Sequence, residues 1–211
     1  MNLPMTQENK VRLLLGIFVG LLIGMNLIGG KIITVLGISV SVAIFMTPLT
    51  FLITDIIEEV MGKKTAQSFI YIGVAALLMT LVYTAVFVIL DPAERYEFND
   101  AYVTIFGVSI RMIIASIIAF VVSQTHDVWA FEFWKKKTHG KMLWLRNNAS
   151  TMVSQVIDTL LFMMIAFYGI SDKFTFGFII TLAIPYYLFK IAFAALDTPF
   201  VYLGARWLKG K

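Results

Sequence analysis

An all-α integral membrane protein is the fold class this chain predicts, and three observations carry it. First, 59% of its 211 residues are apolar, only 14% are charged, and the mean hydropathy is +0.85, which would leave a soluble protein covered in grease. Second, runs such as Leu13–Ile23 and Phe69–Leu90 continue without the polar-apolar alternation of a membrane β-barrel strand. Third, a crossing takes roughly 20 residues, so residues 1–211 hold about six helices in a single transmembrane domain.

Helix 1 is predicted from Val11 to Gly29; its apolar run follows Lys10 and Arg12 like a signal peptide but lacks a small-x-small cleavage site, so it is expected to stay. A short apolar hairpin-like segment, Ile32–Phe45, follows, whose Gly37 and β-branched residues argue against a full crossing. Helix 2 runs from Thr47 to Val60, with Pro48 in its first turn and Gly62 as its stop. Helix 3 spans Ala66–Leu90 and ends before Asp91-Pro92, helix 4 spans Ile105–Val128, and helix 5 spans Leu143–Tyr168. Helix 6 spans Phe174–Trp207 and carries Pro185 as a kink.

Short loops rich in lysine and arginine stay in the cytoplasm. With the N-terminus inside, that side collects Lys10, Arg12, Lys63, Lys64, Lys135, Lys136, Lys137, Lys141, Arg146, Arg206, Lys209 and Lys211, against Lys31, Arg95 and Lys173 outside. Both termini are therefore expected in the cytoplasm.

Charges inside these helices are the informative residues, because each costs at least about 2.5–3.5 kcal/mol near the bilayer centre unless it faces a partner or a wet cavity. Helix 5 carries Asn147, Thr151, Ser154 and Asp158 along one face for about 16 Å, with Gln155 and Asn148 on its shoulders. Such a stripe either glues helices together or lines a cavity. Helix 2 stacks Asp55 and Glu59 one turn apart, with Arg111, Arg146 and Lys190 as candidate cations, whereas Glu58 reads as a solvated interfacial carboxylate. Helix 6 puts Lys190 and Asp197 on a common face, too far apart to pair with each other, so each is expected to look across to another helix. Ser123-Gln124-x-x-Asp127 in helix 4 repeats Ser154-Gln155-x-x-Asp158, a likeness too short to establish a duplication.

Gly16, Gly20 and Gly24 form a small-xxx-small seam on helix 1, suited to internal packing or to docking a second copy of the chain. The aromatics after helix 4, from Trp129 to Trp134, read as an interfacial belt, and Tyr186 and Tyr187 as packing or as plates for a planar ligand. The absence of cysteine excludes disulfides and thiolate metal sites, and no metal or cofactor is expected. Basic residues sit at helix ends rather than in a soluble patch, which argues against nucleic acid. No P-loop, HExxH, Gly-x-Ser-x-Gly or Gly-x-Gly-Asp motif points to an enzyme.

The segment from Pro48 through Asp55, Glu59 and Gly62, then Arg111 with Ser123-Gln124-x-x-Asp127, then Leu145-Arg146-Asn147-Asn148 through Asp158-Thr159, and finally Lys190 with Leu196-Asp197-Thr198-Pro199, together resemble the queuosine-precursor transporter family, also called the vitamin uptake transporter family. The likeness covers nearly the whole chain. It implies six helices and import of 7-deazaguanines such as 7-cyano-7-deazaguanine or its aminomethyl analogue, for salvage into modified tRNA nucleosides. A guanine-like ring offers two donors that a carboxylate can accept together, a carbonyl for a cation or amide, and a flat face for stacking. Asp158 then suits the carboxylate, Lys190 or Gln155 the donor and Tyr186 the stacking plate, with Asn147 and Thr151 lining the site. Asp55, Glu59, Arg111, Gln124, Asp127, Arg146 and Asp197 form an expected gate or charge network. The alternative is the substrate-capturing subunit of an energy-coupling-factor importer, with the glycine seam as its docking face.

Overall fold

A computed structural model of the chain describes residues 5–29, 31–35, 37–169, 172 and 175–210; within these, the side chains of Ile32, Ile38, Ser39, Val108, Leu182, Ala194, Ala195 and Asp197 lie outside the description. Six α-helices are present among them: α1 (Gln7–Ile28), α2 (Thr47–Met61), α3 (Lys63–Ile89), α4 (Asn99–Lys137), α5 (Leu143–Phe167) and α6 (Phe176–Lys209). Five of them, all but α2, contain stretches long and apolar enough to cross a membrane. At 15 residues, α2 reaches only about 22 Å against a hydrocarbon core of about 30 Å.

The hairpin-like segment is a true hairpin. Strands β1 (Ile32–Val35) and β2 (Ile38–Ser41) pair antiparallel, Val35 opposite Ile38, across a turn in which Gly37 supplies φ 79°. Ser41 then caps a 3-10 turn over Val42–Phe45 by accepting from the Ala43 N–H, while its own hydroxyl donates to the Gly29 carbonyl and ties the hairpin to the end of α1. Gly62, at φ 84°, lets α2 give way to α3 with no intervening loop.

Helix α4 exceeds its expected span at both ends, reaching 39 residues. The apolar run marks only the stretch suited to lipid; beyond it, Ala130, Glu132, Lys135, Lys136 and Lys137 favour continued helix, and the three lysines complement the carbonyl end of the helix dipole. Helix α6 continues through Pro185 and Pro199 to an αL cap at Gly210.

Burial is inverted relative to a soluble protein. Tyr71, Met79, Val82, Phe87, Leu188 and Leu203 are exposed, whereas Asp55, Glu58, Asp127, Arg146 and Lys190 are buried. A core of Phe18, Leu22, Ile57, Phe69, Leu77, Phe120, Phe131 and Val201 joins α1, α2, α3, α4 and α6. Helices approach closely at Gly73 of α3 and Gly204 of α6. A Cβ at Gly73 would lie 2.5 Å from Leu22 Cδ1, and one at Gly204 would strike Ile56 of α2. Gly16 and Gly20 instead have open space where a Cβ would sit, so their stretch of the expected seam makes no internal contact among the described residues.

Candidate functional site

Among the described residues, charged side chains gather at opposite ends of the bundle. At the hairpin end, a cavity of about 160 Å³ opens between the end of α1, the start of α2, and α4, α5 and α6. One water needs about 10–15 Å³ of such space, so the cavity has the scale of a small molecule. Its charged groups are Asp158 and Lys190; Tyr186, Phe51, Phe120 and Phe162 add aromatic wall, and Asn26, Ser41, Thr47, Thr50, Ser109 and Ser116 add polar edges.

Lys190 Nζ donates to Asp158 Oδ2 at 2.6 Å, and the Ser123 hydroxyl donates to Asp158 Oδ1 at 3.2 Å. The ammonium also lies 5.4 Å from the centroid of the Tyr186 ring, within reach of its negative face. Helices α4, α5 and α6 thus meet at one carboxylate. The side chains of Lys190 and Asp158 are only 4% and 15% exposed, so the pair is largely removed from water.

The other end is held by Glu59. Its carboxylate receives Arg146 Nη1 at 2.9 Å, Lys209 Nζ at 3.6 Å and Lys135 Nζ at 3.7 Å, joining α2 to α5, α6 and α4. Arg146 is buried, with its guanidinium over the Phe131 ring at 5.3 Å. The same end carries the start of α1, whose Lys10 donates to the Trp207 carbonyl. Beside Glu59 an open cleft is lined by Arg146, Tyr202, Arg206 and Lys209.

Between the two ends runs a polar seam. Thr54 donates to Gln124 Oε1 at 3.3 Å, Thr151 donates to Asp55 Oδ2 at 3.5 Å, and His126 Nδ1 lies 3.0 Å from Ser154 Oγ. Asp127 and Gln155 are buried in the same seam. Asn147 and Asn148 point their amides at Thr198 of α6, at 3.5 and 3.0 Å.

The helix 5 stripe therefore divides. Asp158 reaches the cavity with Lys190 and Tyr186, whereas Gln155, Thr151 and Asn147 lie outside its lining, in the seam. Glu58, expected at a wet interface, is instead buried at 1%, because α2 turns that face toward α4 rather than outward. Arg111 meets neither Asp55 nor Glu59 among the described residues. Its Nε and Nη2 donate to the carbonyls of Ile165 and Tyr168, at 2.9 and 2.8 Å, and close the end of α5. The Asp197 side chain lies outside the described residues. Asn26, Ser109 and Ser116 were missed as lining residues: each is a lone polar residue in an apolar run, a pattern shared with ordinary helix packing.

Apolar helices wrapped round an internal cavity that ends on a carboxylate and an ammonium are the architecture of a multi-pass membrane transporter. Residues 41–204 match the family described as "Putative vitamin uptake transporter". The "Probable queuosine precursor transporter" of Bacillus subtilis (strain 168) is 32% identical over 182 residues, which cover 84% of this chain and 77% of that protein. The "Queuosine precursor transporter" of Escherichia coli (strain K12) is 29% identical over 161 residues, covering 75% and 69%. No solved structure matches the chain. The chain belongs to this queuosine-precursor, or vitamin uptake, transporter family, and it is a multi-pass protein of the cell membrane.

Proposed function

We propose that the chain imports queuosine precursors, 7-deazaguanines such as 7-cyano-7-deazaguanine or 7-aminomethyl-7-deazaguanine, for salvage into modified tRNA nucleosides. The observation that carries this reading is the convergence of Asp158, Lys190 and Tyr186 on one cavity, together with the similarity to the two queuosine precursor transporters. A guanine-like edge offers N1–H and an amine to the Asp158 carboxylate and its carbonyl to Lys190, with the ring against Tyr186. The free protein pairs Asp158 with Lys190, so the ligand replaces one internal ion pair with two sets of charge-assisted bonds.

In this reading α2 counts as a sixth, short membrane helix, both termini are cytoplasmic, and the cavity belongs to the extracellular half. Glu59 with Arg146, Lys135 and Lys209 is then the cytoplasmic gate, whose release while the cavity closes gives alternating access. The open stretch of α1 at Gly16 and Gly20 is where a second copy of the chain would dock.

Titrating purified protein with 7-cyano-7-deazaguanine, its aminomethyl analogue, guanine and queuine tests the substrate. Binding of a deazaguanine that Asp158→Asn and Lys190→Met weaken supports it, and no binding of any of the four refutes it. Uptake by the chain alone, in cells unable to make the precursor, separates a self-sufficient importer from a subunit that needs separate ATPases.

A further inference from the structure

Asp127 holds chemistry that ligand recognition leaves unused. It lies one helical turn along α4 from Ser123, is 1% exposed, and rests against Asp55 of α2 and against Ser150, Thr151 and Ser154 of α5. Neither of its oxygens accepts a hydrogen bond of ordinary length and angle, close as these groups stand. The reason is that the neighbouring hydroxyl hydrogens are already spent: Ser150 donates to the Asn147 carbonyl at 3.2 Å, Ser154 to the Ser150 carbonyl at 2.9 Å, and Thr151 to Asp55. What stands round Asp127 is hydroxyl and carboxylate oxygen, with no cation among the described residues beside it.

No lysine or arginine forms an ion pair with Asp127 among the described residues. The titratable groups round it add negative charge. Asp55 and Glu58 come from α2, and Glu58 carries an Oε1 that also lacks a partner. On α4 itself His126 turns to Ser154 and Glu132 lies near Glu58, while Lys135 is drawn to Glu59. From α5, Arg146 is committed to Glu59, and Asp158 stands beyond Ser123, paired with Lys190.

Two buried carboxyl groups side by side, Asp127 and Asp55, are completed by a small cation. A metal ion would need space and a full oxygen shell. Neither cavity is lined by Asp127, and no group of three or more His, Asp or Glu among the described residues is disposed to hold a metal. A proton needs no space, and it turns one acceptor of the pair into the missing donor.

We propose that Asp127 is a proton-binding site, shared with Asp55, whose proton is carried inward together with the ligand. The coupling part rests on the importer reading above; the proton site itself does not. A proton arriving from the cavity side forms an O–H on Asp127 that donates to Asp55, and the same proton leaves to the cytoplasm after the Glu59 gate opens. Ser123 links the two events, because it bonds the ligand-binding Asp158 and sits one turn from Asp127 on the same helix.

Two measurements on the full chain test this. Infrared spectra of purified, ligand-free protein are expected to show a protonated carboxyl band in the wild type that Asp127→Asn removes and Asp127→Glu shifts. Absence of that band, or its persistence unchanged in both variants, overturns the proton site. In liposomes with 7-cyano-7-deazaguanine inside and out, an inward gradient of one pH unit supports about tenfold accumulation if one proton accompanies each ligand. The ratio of accumulation with and without the gradient should fall to one in Asp127→Asn, whatever uptake remains. A wild type driven by a sodium gradient and indifferent to pH overturns the proton coupling. If the wild type takes up no deazaguanine at all, the substrate reading fails, and the infrared band still decides the proton site.

Discussion

Lys190 and Asp158 are bonded across α6 and α5 at 2.6 Å, with both side chains largely withdrawn from water. Removing one member of a buried pair leaves the other uncompensated, at about 3–5 kcal/mol. Lys190→Met should therefore lower the midpoint of thermal unfolding clearly, and Lys190→Met combined with Asp158→Asn should recover most of the loss. A double variant no more stable than the single one would show that the pair is not energetically coupled.

Glu59 is bound by three cations from three helices. Neutralising it in Glu59→Gln should loosen that end of the bundle while leaving the cavity at the other end in place. The chain has no cysteine of its own, so a single Thr151→Cys reporter, buried at 1%, is a clean probe. Its rate of modification by a small thiol reagent should rise when Glu59→Gln is added, and an unchanged rate would argue against a gate there.

Arg111 closes the end of α5 with two charge-assisted hydrogen bonds to carbonyls. Arg111→Ala should cost about 1.5–3 kcal/mol for each bond lost, less whatever water restores at this exposed site. The fork geometry matters, so Arg111→Lys is expected to restore only part. Ligand affinity should stay near the wild-type value, since Arg111 is not among the cavity-lining residues.

Small residues divide by what surrounds them. Gly204→Ala drives a methyl into Ile56 and should destabilise by about 1–3 kcal/mol, and Gly73→Ala should do the same against Leu22 and Phe18. Gly20→Ala fills open space and should leave monomer stability unchanged. Denaturation of detergent-solubilised variants reads all three directly.

Helix identities were legible because a spanning segment must be apolar along its length, a property visible in any window of the chain. Ends were less legible. Helix α4 outruns its apolar stretch at both ends, since hydropathy reports contact with lipid and not where backbone hydrogen bonding stops. Asp158, Lys190 and Tyr186 could be singled out by their depth in apolar runs, yet their neighbours in the same stripe parted company. A helix face spans several partners along its length, so Asp158 meets the cavity while Thr151, two turns earlier, meets Asp55.

By itself the sequence determined that this protein lives in a membrane, roughly where its helices lie, and which apolar stretches carry ionisable groups, because hydropathy is a property of each residue and its immediate neighbours. Tertiary structure alone decided the partnerships. Glu59 took Arg146, Lys190 took Asp158, Arg111 turned to the end of α5, and Glu58 went inside, because each outcome depends on the rotation and depth of one helix against another. Those relative placements are fixed by close packing at sites such as Gly73 and Gly204, between residues far apart in the chain.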